Sequence, residues 1–199
     1  MLEKMLHQKG YANVAGVDEV GRGPWAGPVV TAAVILDFAK IPQDLADSKK
    51  LTPKKREKIY EDVMQNACVG FGEASVEEID ALNIRQATLL AMWRAVEALP
   101  KRADYVVIDG RDVPPKLPQP AEAIIQGDGK ILSISAASIV AKVRRDRMMA
   151  QLAEDFPHFG WAKNAGYGTA EHQAGLAAFG VTPHHRTSFA PIRKLLVNS

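Results

Sequence analysis

Cysteine is all but absent from these 199 residues. The single Cys68 excludes an intrachain disulfide framework and leaves no thiolate set for zinc. Between Ala67 and Val69 it reads as a small buried hydrophobe. Long apolar runs are missing as well. Nothing approaches the ~18 consecutive residues that cross a bilayer, and the opening MLEKMLHQKG has no apolar signal core. The expected location is therefore the cytoplasm, with no membrane partner. Repeats and low-complexity linkers are lacking, which points to one domain over 1–199, its last part (about 155–199) a helical extension. Net charge is only +2, with 47% hydrophobic and 24% charged residues, the balance of an ordinary folded chain.

The little excess charge is clustered. Residues 49–58 hold six Lys/Arg against one Glu, and residues 142–147 hold four against one Asp. Such runs attract phosphate, although a solvated face has the same composition.

Patterning predicts interleaved strands and helices. Val14–Val20 and Val29–Leu36 read as antiparallel strands joined through Gly21-Arg22-Gly23-Pro24. Thr52 and Pro53 mark a helix start running to about Asn66. A strand follows at Val69–Ala74, then a capping box opening at Ser75. Helical spacing covers Ile84–Leu99 and ends before Pro100. Tyr105–Ile108 is a compact strand delivering Asp109. The four prolines of Val113–Pro120 make an irregular loop, and Ala121–Gln126 is a further strand before a turn at Gly127–Gly129. Ser135–Leu152 and Thr169–Phe179 are helices, the second stopped by Gly180. This is an α/β chain: a mixed central sheet flanked by helices, with a helical C-terminal portion.

The chemistry concentrates in acids at strand ends: Asp18 and Glu19 at the first, Asp109 at another, and Asp128 in a glycine-flanked turn. Buried acids need partners. Oxygen-only donor sets suit hard ions such as Mg²⁺ or Mn²⁺, and two such ions assist phosphoryl transfer. Taken singly, each acid also fits a solvated strand end. Asp18 and Glu19 must point to opposite faces of a regular strand, so either a local distortion near Gly21, the favoured reading, or the extra methylene of Glu19 brings both to one site. Gly21, Arg22 and Gly23 present close backbone to a ligand, or simply form a turn. Ser135, Ser138, Lys142 and Arg145 share about an 80° helical arc suited to phosphate. Asp47-Ser48-Lys49-Lys50-Leu51 is a basic segment, Gly166-Tyr167-Gly168 places an aromatic between two glycines, to stack on a sugar or base or simply to pack in a turn, and His184-His185-Arg186 reads as polar or phosphate-contacting.

These blocks, in this order from about residue 12 to 192, resemble the bacterial ribonuclease HII family of type 2 ribonucleases H. Ala15–Pro24, Asp47–Leu51, Val107–Gly110, Gly127-Asp128, Ser135–Val143, Gly166–Thr169 and His184–Phe189 carry the likeness. The resemblance implies a ribonuclease H-like fold and cleavage of RNA in RNA–DNA hybrids. It also implies incision 5′ of single ribonucleotides embedded in duplex DNA, leaving 3′-hydroxyl and 5′-phosphate ends. By match, Asp18, Glu19, Asp109 and Asp128 hold two divalent ions, Mn²⁺ or Mg²⁺. Gly21, Arg22 and Gly23 would read the 2′-hydroxyl, with Tyr167 on the DNA side. Ser48, Lys49, Ser135, Ser138, Lys142, Arg145 and Arg186 would touch nucleic acid. Departures from the family pattern are Gln126, Arg144 and Trp25. Type HIII is the nearest alternative, and the catalytic block beginning near residue 14 favours HII. A catalytically silent nucleic-acid-binding protein would keep the cations but need no convergent acids. Without a heptad, a monomer is expected.

Overall fold

The computed structural model describes residues 2–43, 45 and 51–197. Helix α1 (Leu2–Gln8) precedes strands β1 (Val14–Val20) and β2 (Val29–Ile35). Then come α2 (Pro53–Asn66), β3 (Cys68–Ala74), α3 (Val76–Leu82), α4 (Ile84–Glu97), β4 (Tyr105–Asp109) and β5 (Ala121–Ile124). The C-terminal third holds α5 (Leu132–Asp155), α6 (Trp161–Asn164), α7 (Ala170–Phe179) and α8 (Ala190–Val197), with 3-10 turns at Gly127–Gly129 and Pro157–Phe159. The expected alternation, and a mixed sheet between helices, is what the chain forms.

Local signals place the ends. Thr52 Oγ1 accepts the Lys55 N–H at 3.3 Å, with Pro53 at the first helical position of α2. The Ser75 hydroxyl and Glu78 carboxylate satisfy each other's backbone N–H groups at 3.2 and 3.0 Å, starting α3. α5 has no such cap of its own, because Ile131 occupies that position. Glu3 of α1 substitutes across the fold, accepting from the Ser133 N–H at 3.0 Å and the Leu132 N–H at 3.3 Å. A buried carboxylate at the positive end of a 24-residue helix is favourable. Glu3→Ala should therefore cost about 1 kcal/mol and lower the melting temperature by roughly 2–4 °C, read by calorimetry.

The sheet order is β3-β2-β1-β4-β5. β1 pairs antiparallel with β2 and parallel with β4, placing the sheet's parallel half beside its antiparallel half. α4 covers one face, where Val17, Ile108, Leu89, Met92 and Val96 pack together. α5 and α2 cover the other, through Ala32, Val34, Ile59, Val63, Ile139 and Val140. Gly16 lets α5 come this close to β1, since a Cβ there would lie 2.2 Å from the Ser133 carbonyl carbon. A third cluster joins Ala26 and Met149 to Phe159, Trp161, Leu176 and Ile192. The C-terminal helices are thus packed onto the β1–β2 connection, the segment Gly21–Pro28.

Several elements differ from the sequence expectation. α1, α6 and α8 carry too few turns for periodicity to show them. α5 starts three residues earlier than Ser135. β5 ends at Ile124, because Gln126 takes a left-handed φ of 57° into the turn.

Candidate active site

β1 and β4 run parallel with Val17 opposite Ile108, so the next residues, Asp18 and Asp109, are lateral neighbours on the face covered by α5. β4 ends here and β1 two residues later, which places the two carboxylates near the C-terminal ends of the strands. Asp18 is 5% exposed and takes hydrogen bonds from the Ser138 hydroxyl on α5 and from the Glu19 N–H, the latter at 2.7 Å. Asp109 Oδ1 accepts the Gly127 N–H at 2.6 Å. That bond ties the Gly127–Gly129 turn, which carries Asp128, to the end of β4.

Glu19 corrects an expectation. β1 stays regular, with ladder partners continuing through Glu19 opposite Thr31 and Val20 opposite Val30. No distortion occurs before Gly21. Glu19 lies on the opposite face, lining a small cleft with Thr88, Leu89, Met92, Asp109 and Asp112. Its longer side chain approaches Asp109 from below the strand end. Arg22 binds Glu19 Oε1 at 3.2 Å, while Oε2 is buried with no hydrogen-bond partner.

This packing is electrostatically unfavourable as it stands. Burial, then the charges of Glu19 and Asp109, push the Asp18 carboxyl well above its ordinary range. Burial and Asp109 raise Glu19 also, against the lowering influence of Arg22. Among the described residues, no three His, Cys, Asp or Glu side chains are drawn tightly around one point. The donor set still fits a hard divalent cation. All donors are oxygens, they crowd one edge, and a buried orphan carboxylate oxygen is satisfied most simply by a metal. A cavity of about 540 Å³ lies elsewhere, between Pro28, Glu73, Val76, Met148 and His184, and includes none of these acids. The acids sit instead at an open edge, which suits a duplex better than a small molecule.

The segment after β1 forms the neighbouring wall. Gly21 has φ +94°, and a Cβ there would lie 2.1 Å from Arg145 Nε, so only glycine fits. Gly23 faces Tyr167, whose ring would meet a Cβ at 3.2 Å and which is 52% exposed. Trp25, one of the departures from the family pattern, packs against Gly168 on the other side of that tyrosine turn.

The cations split into two groups. Lys142 is half-buried on α5 and pairs with Asp146 at 2.6 Å, so Asp146 partners Lys142 rather than Arg145. Arg22 is half exposed. Arg145 and Arg186 are corrected: both are at most 1% exposed and face no solvent. Arg145 donates to the carbonyls of Pro28, Ala26 and Ala165, and Arg186 to those of Gly21, Arg22 and Gly27. They hold the loop rather than reach phosphate. Ser135 is likewise buried, its hydroxyl bonded to the Asp128 carbonyl. Ser138 serves Asp18. Arg144 stacks over Phe71 and pairs with Glu73 at 2.8 Å, away from the acids. His185 belongs to the core, not to a polar surface segment. Ser48 and Lys49 fall outside the described residues.

Glu3 was missed by sequence reasoning, because its partner lies 130 residues away along the chain.

Residues 15–192 match the family model described as ribonuclease HII. A ribonuclease HII of Ruegeria pomeroyi is 57% identical over 195 residues, covering 98% of this chain and 83% of that one. One from Magnetococcus marinus is 57% identical over 185 residues, 92% of this chain and 87% of its own. Among solved structures, the ribonuclease H2 of Pyrococcus horikoshii superposes with a TM-score of 0.79 at 28% identity, covering 94% of this chain and 98% of that one. A Bst ribonuclease HIII in complex with Mn²⁺ superposes with a TM-score of 0.75 at 20% identity, over 96% of this chain and 71% of that one.

Proposed function

The chain belongs to the ribonuclease HII family, a type HII ribonuclease H acting on RNA–DNA hybrids, and from that premise we propose that it also incises duplex DNA at single ribonucleotides. The cut falls 5′ of the ribonucleotide and leaves 3′-hydroxyl and 5′-phosphate ends. Asp18, Glu19, Asp109 and Asp128 form the catalytic edge. The observation that carries the reading is the lateral pair Asp18–Asp109 together with the buried, unpartnered Glu19 Oε2.

Ribonucleases H depend on divalent metals, and in this chain the four carboxylates would hold Mg²⁺ or Mn²⁺. When bound, such ions supply a Lewis acid for the phosphate and a water activated at neutral pH. The chain's own groups do the rest. Ser138 orients Asp18, and the Gly127 N–H orients Asp109. Arg22 neutralises one Glu19 oxygen and leaves the other free. Gly21–Gly23 bring backbone against the sugar, where a 2′-hydroxyl can both donate and accept. Tyr167, exposed beside Gly23, stacks on the adjoining deoxynucleotide. Lys142 and Ser138 lie along α5 toward the phosphates, and the basic segment at Ser48 and Lys49 adds charge. The enzyme acts as a monomer in the cytoplasm; no described helix is long and apolar enough to cross a membrane.

The test is a DNA duplex carrying one ribonucleotide, incubated with Mg²⁺, Mn²⁺ or chelator. Incision at the 5′ side with either metal, and none with chelator, is expected. Cleavage restricted to long hybrids would overturn the single-ribonucleotide reading. Asp109→Asn at full rate would overturn the site.

A further inference from the structure

Two buried imidazoles lie behind Tyr167 and take no part in the cleavage chemistry. His172 opens α7 and His185 follows it, each at most 1% exposed, with their Nε2 atoms 2.9 Å apart. Their outer partners fix the protons. His172 Nδ1 is 2.9 Å from the Tyr167 carbonyl oxygen, which only accepts, so the hydrogen sits on Nδ1. Its Nε2 is then a lone pair, and it accepts the Trp161 indole N–H at 3.2 Å. His185 Nδ1 accepts the Thr182 backbone N–H at 3.0 Å, which puts the His185 hydrogen on Nε2, aimed at His172. One pair of neutral tautomers accommodates these contacts, with the single lone pair of His172 Nε2 shared between the Trp161 and His185 N–H groups and that of His185 Nδ1 shared between the Thr182 N–H and hydroxyl. Burial keeps both rings neutral, with His185 pushed down to about 4.

We propose that His185 and His172 are positioning residues, a hydrogen-bond chain from Thr182 to the Tyr167 carbonyl that sets the Tyr167 ring against the Gly21–Gly23 wall. The chain has a counterpart next door. Arg186 donates to the carbonyls of Gly21 and Arg22, so the segment 182–186 anchors both walls of the place where the sugar is read. Tyr167 is exposed and its own hydroxyl has no role in this hold; the backbone carbonyl carries it. The two walls meet where the Tyr167 ring packs on Gly23. The proposal rests on the reading of Tyr167 as a nucleic-acid contact, and it adds what gives that contact its position.

Packing and positioning predict opposite rankings of two variants. His172→Phe keeps ring volume among Phe159, Trp161 and Trp25 but loses the donor to Tyr167. His172→Asn loses volume but places an amide N–H where Nδ1–H was. Native chymotrypsin digestion at neutral pH reads the hold directly, by cutting after Tyr167. His172→Phe should be cut roughly tenfold faster than wild type, and His172→Asn close to wild type, a tenfold change in the open population being about 1.4 kcal/mol. Kinetics on the single-ribonucleotide duplex read the consequence. Tyr167→Ala should raise KM about tenfold, the scale of one stacking contact. His172→Phe should do the same with kcat moving less, and should add nothing in the Tyr167→Ala background. The reverse ranking in the digest, or additive penalties, overturns the proposal. A wild-type KM for Tyr167→Ala overturns the stacking reading alone, and the digest still decides the hydrogen-bond chain. If His172 variants fail to fold, His185→Gln, which keeps an N–H toward His172, against His185→Leu gives the same ranking test.

Discussion

Asp18→Asn removes cleavage, by at least about 10³-fold or ~4 kcal/mol of transition-state stabilisation, and raises the melting temperature of the metal-free protein. The two effects have one origin. Asp18 is buried beside Glu19 and Asp109, and its carboxyl is held well above the ordinary range. The folded state therefore holds a proton at pH values where the unfolded chain has lost it. Stability falls as pH rises from the normal carboxylate range through the raised folded value, because more protons are bound in the native state than in the unfolded one. An asparagine is neutral throughout and keeps an oxygen that can accept the Glu19 N–H. Each kcal/mol relieved raises the melting temperature of a chain this size by about 2–4 °C. The gain should vanish at acid pH, where wild-type Asp18 is itself protonated.

Metal reverses the ranking. An ion at 100 times its dissociation constant adds about 2.7 kcal/mol to the wild type, or roughly 5–10 °C, and much less to Asp18→Asn. Calorimetry in chelator and in Mn²⁺, across pH, checks both signs. A variant less stable than wild type in chelator at neutral pH would show that the acids are not held in conflict, and with that the metal site loses its physical basis. Catalytic edges built from like charges trade stability for activity in this way.

How much of this was legible in the sequence depends on the reach of each interaction. The acids were legible because an apolar strand ending in a carboxylate is a local pattern, and Val14–Val20 and Tyr105–Asp109 both have it. Their adjacency required the parallel pairing of β1 with β4, which two short strands separated by three helices and two strands only suggest. Thr52 and Ser75 were legible as caps because each bonds to a backbone group three residues on. Glu3 was not, since it caps a helix 130 residues later. For Glu19 the favoured distortion does not occur: β1 stays regular, and the other route, reach by one extra methylene, is the geometry that places it in a cleft with Asp109. The arginines failed for a different reason. Spacing put Arg145 on a polar stripe with Ser138 and Lys142, but it reports nothing of the loop that folds over that stripe's end. The cluster of Ala26, Met149, Phe159 and Trp161 buries Arg145, and only carbonyls meet it there.

Arg186→Lys separates these two ways of reading a cation. A phosphate-contacting arginine tolerates lysine with a modest loss of affinity and unchanged stability. The buried Arg186 donates to three carbonyls in a fixed fork: Gly27 through Nε and Nη2 at 3.0 and 2.8 Å, Arg22 through Nη1 at 3.0 Å, and Gly21 through Nη2 at 2.5 Å. An ammonium is a compact donor that cannot reach all three at once. At least one carbonyl of the Gly21–Gly27 segment would be left buried and unpaired, at about 1–3 kcal/mol each. The site already strains a cation, since burial and the nearby Arg145 push the Arg186 guanidinium down to about 9, and lysine is more readily deprotonated there. A melting temperature lower by roughly 5–10 °C is expected for a loss of about 2–3 kcal/mol. Released carbonyls also free Gly21–Gly23 to move against the sugar, so the rate on a single-ribonucleotide duplex should fall more than the rate on a continuous hybrid, which offers many sites. An Arg186→Lys protein melting with the wild type, and weakened only in a salt-dependent way, would return Arg186 to the phosphate backbone and leave the loop to be held by Arg145 alone.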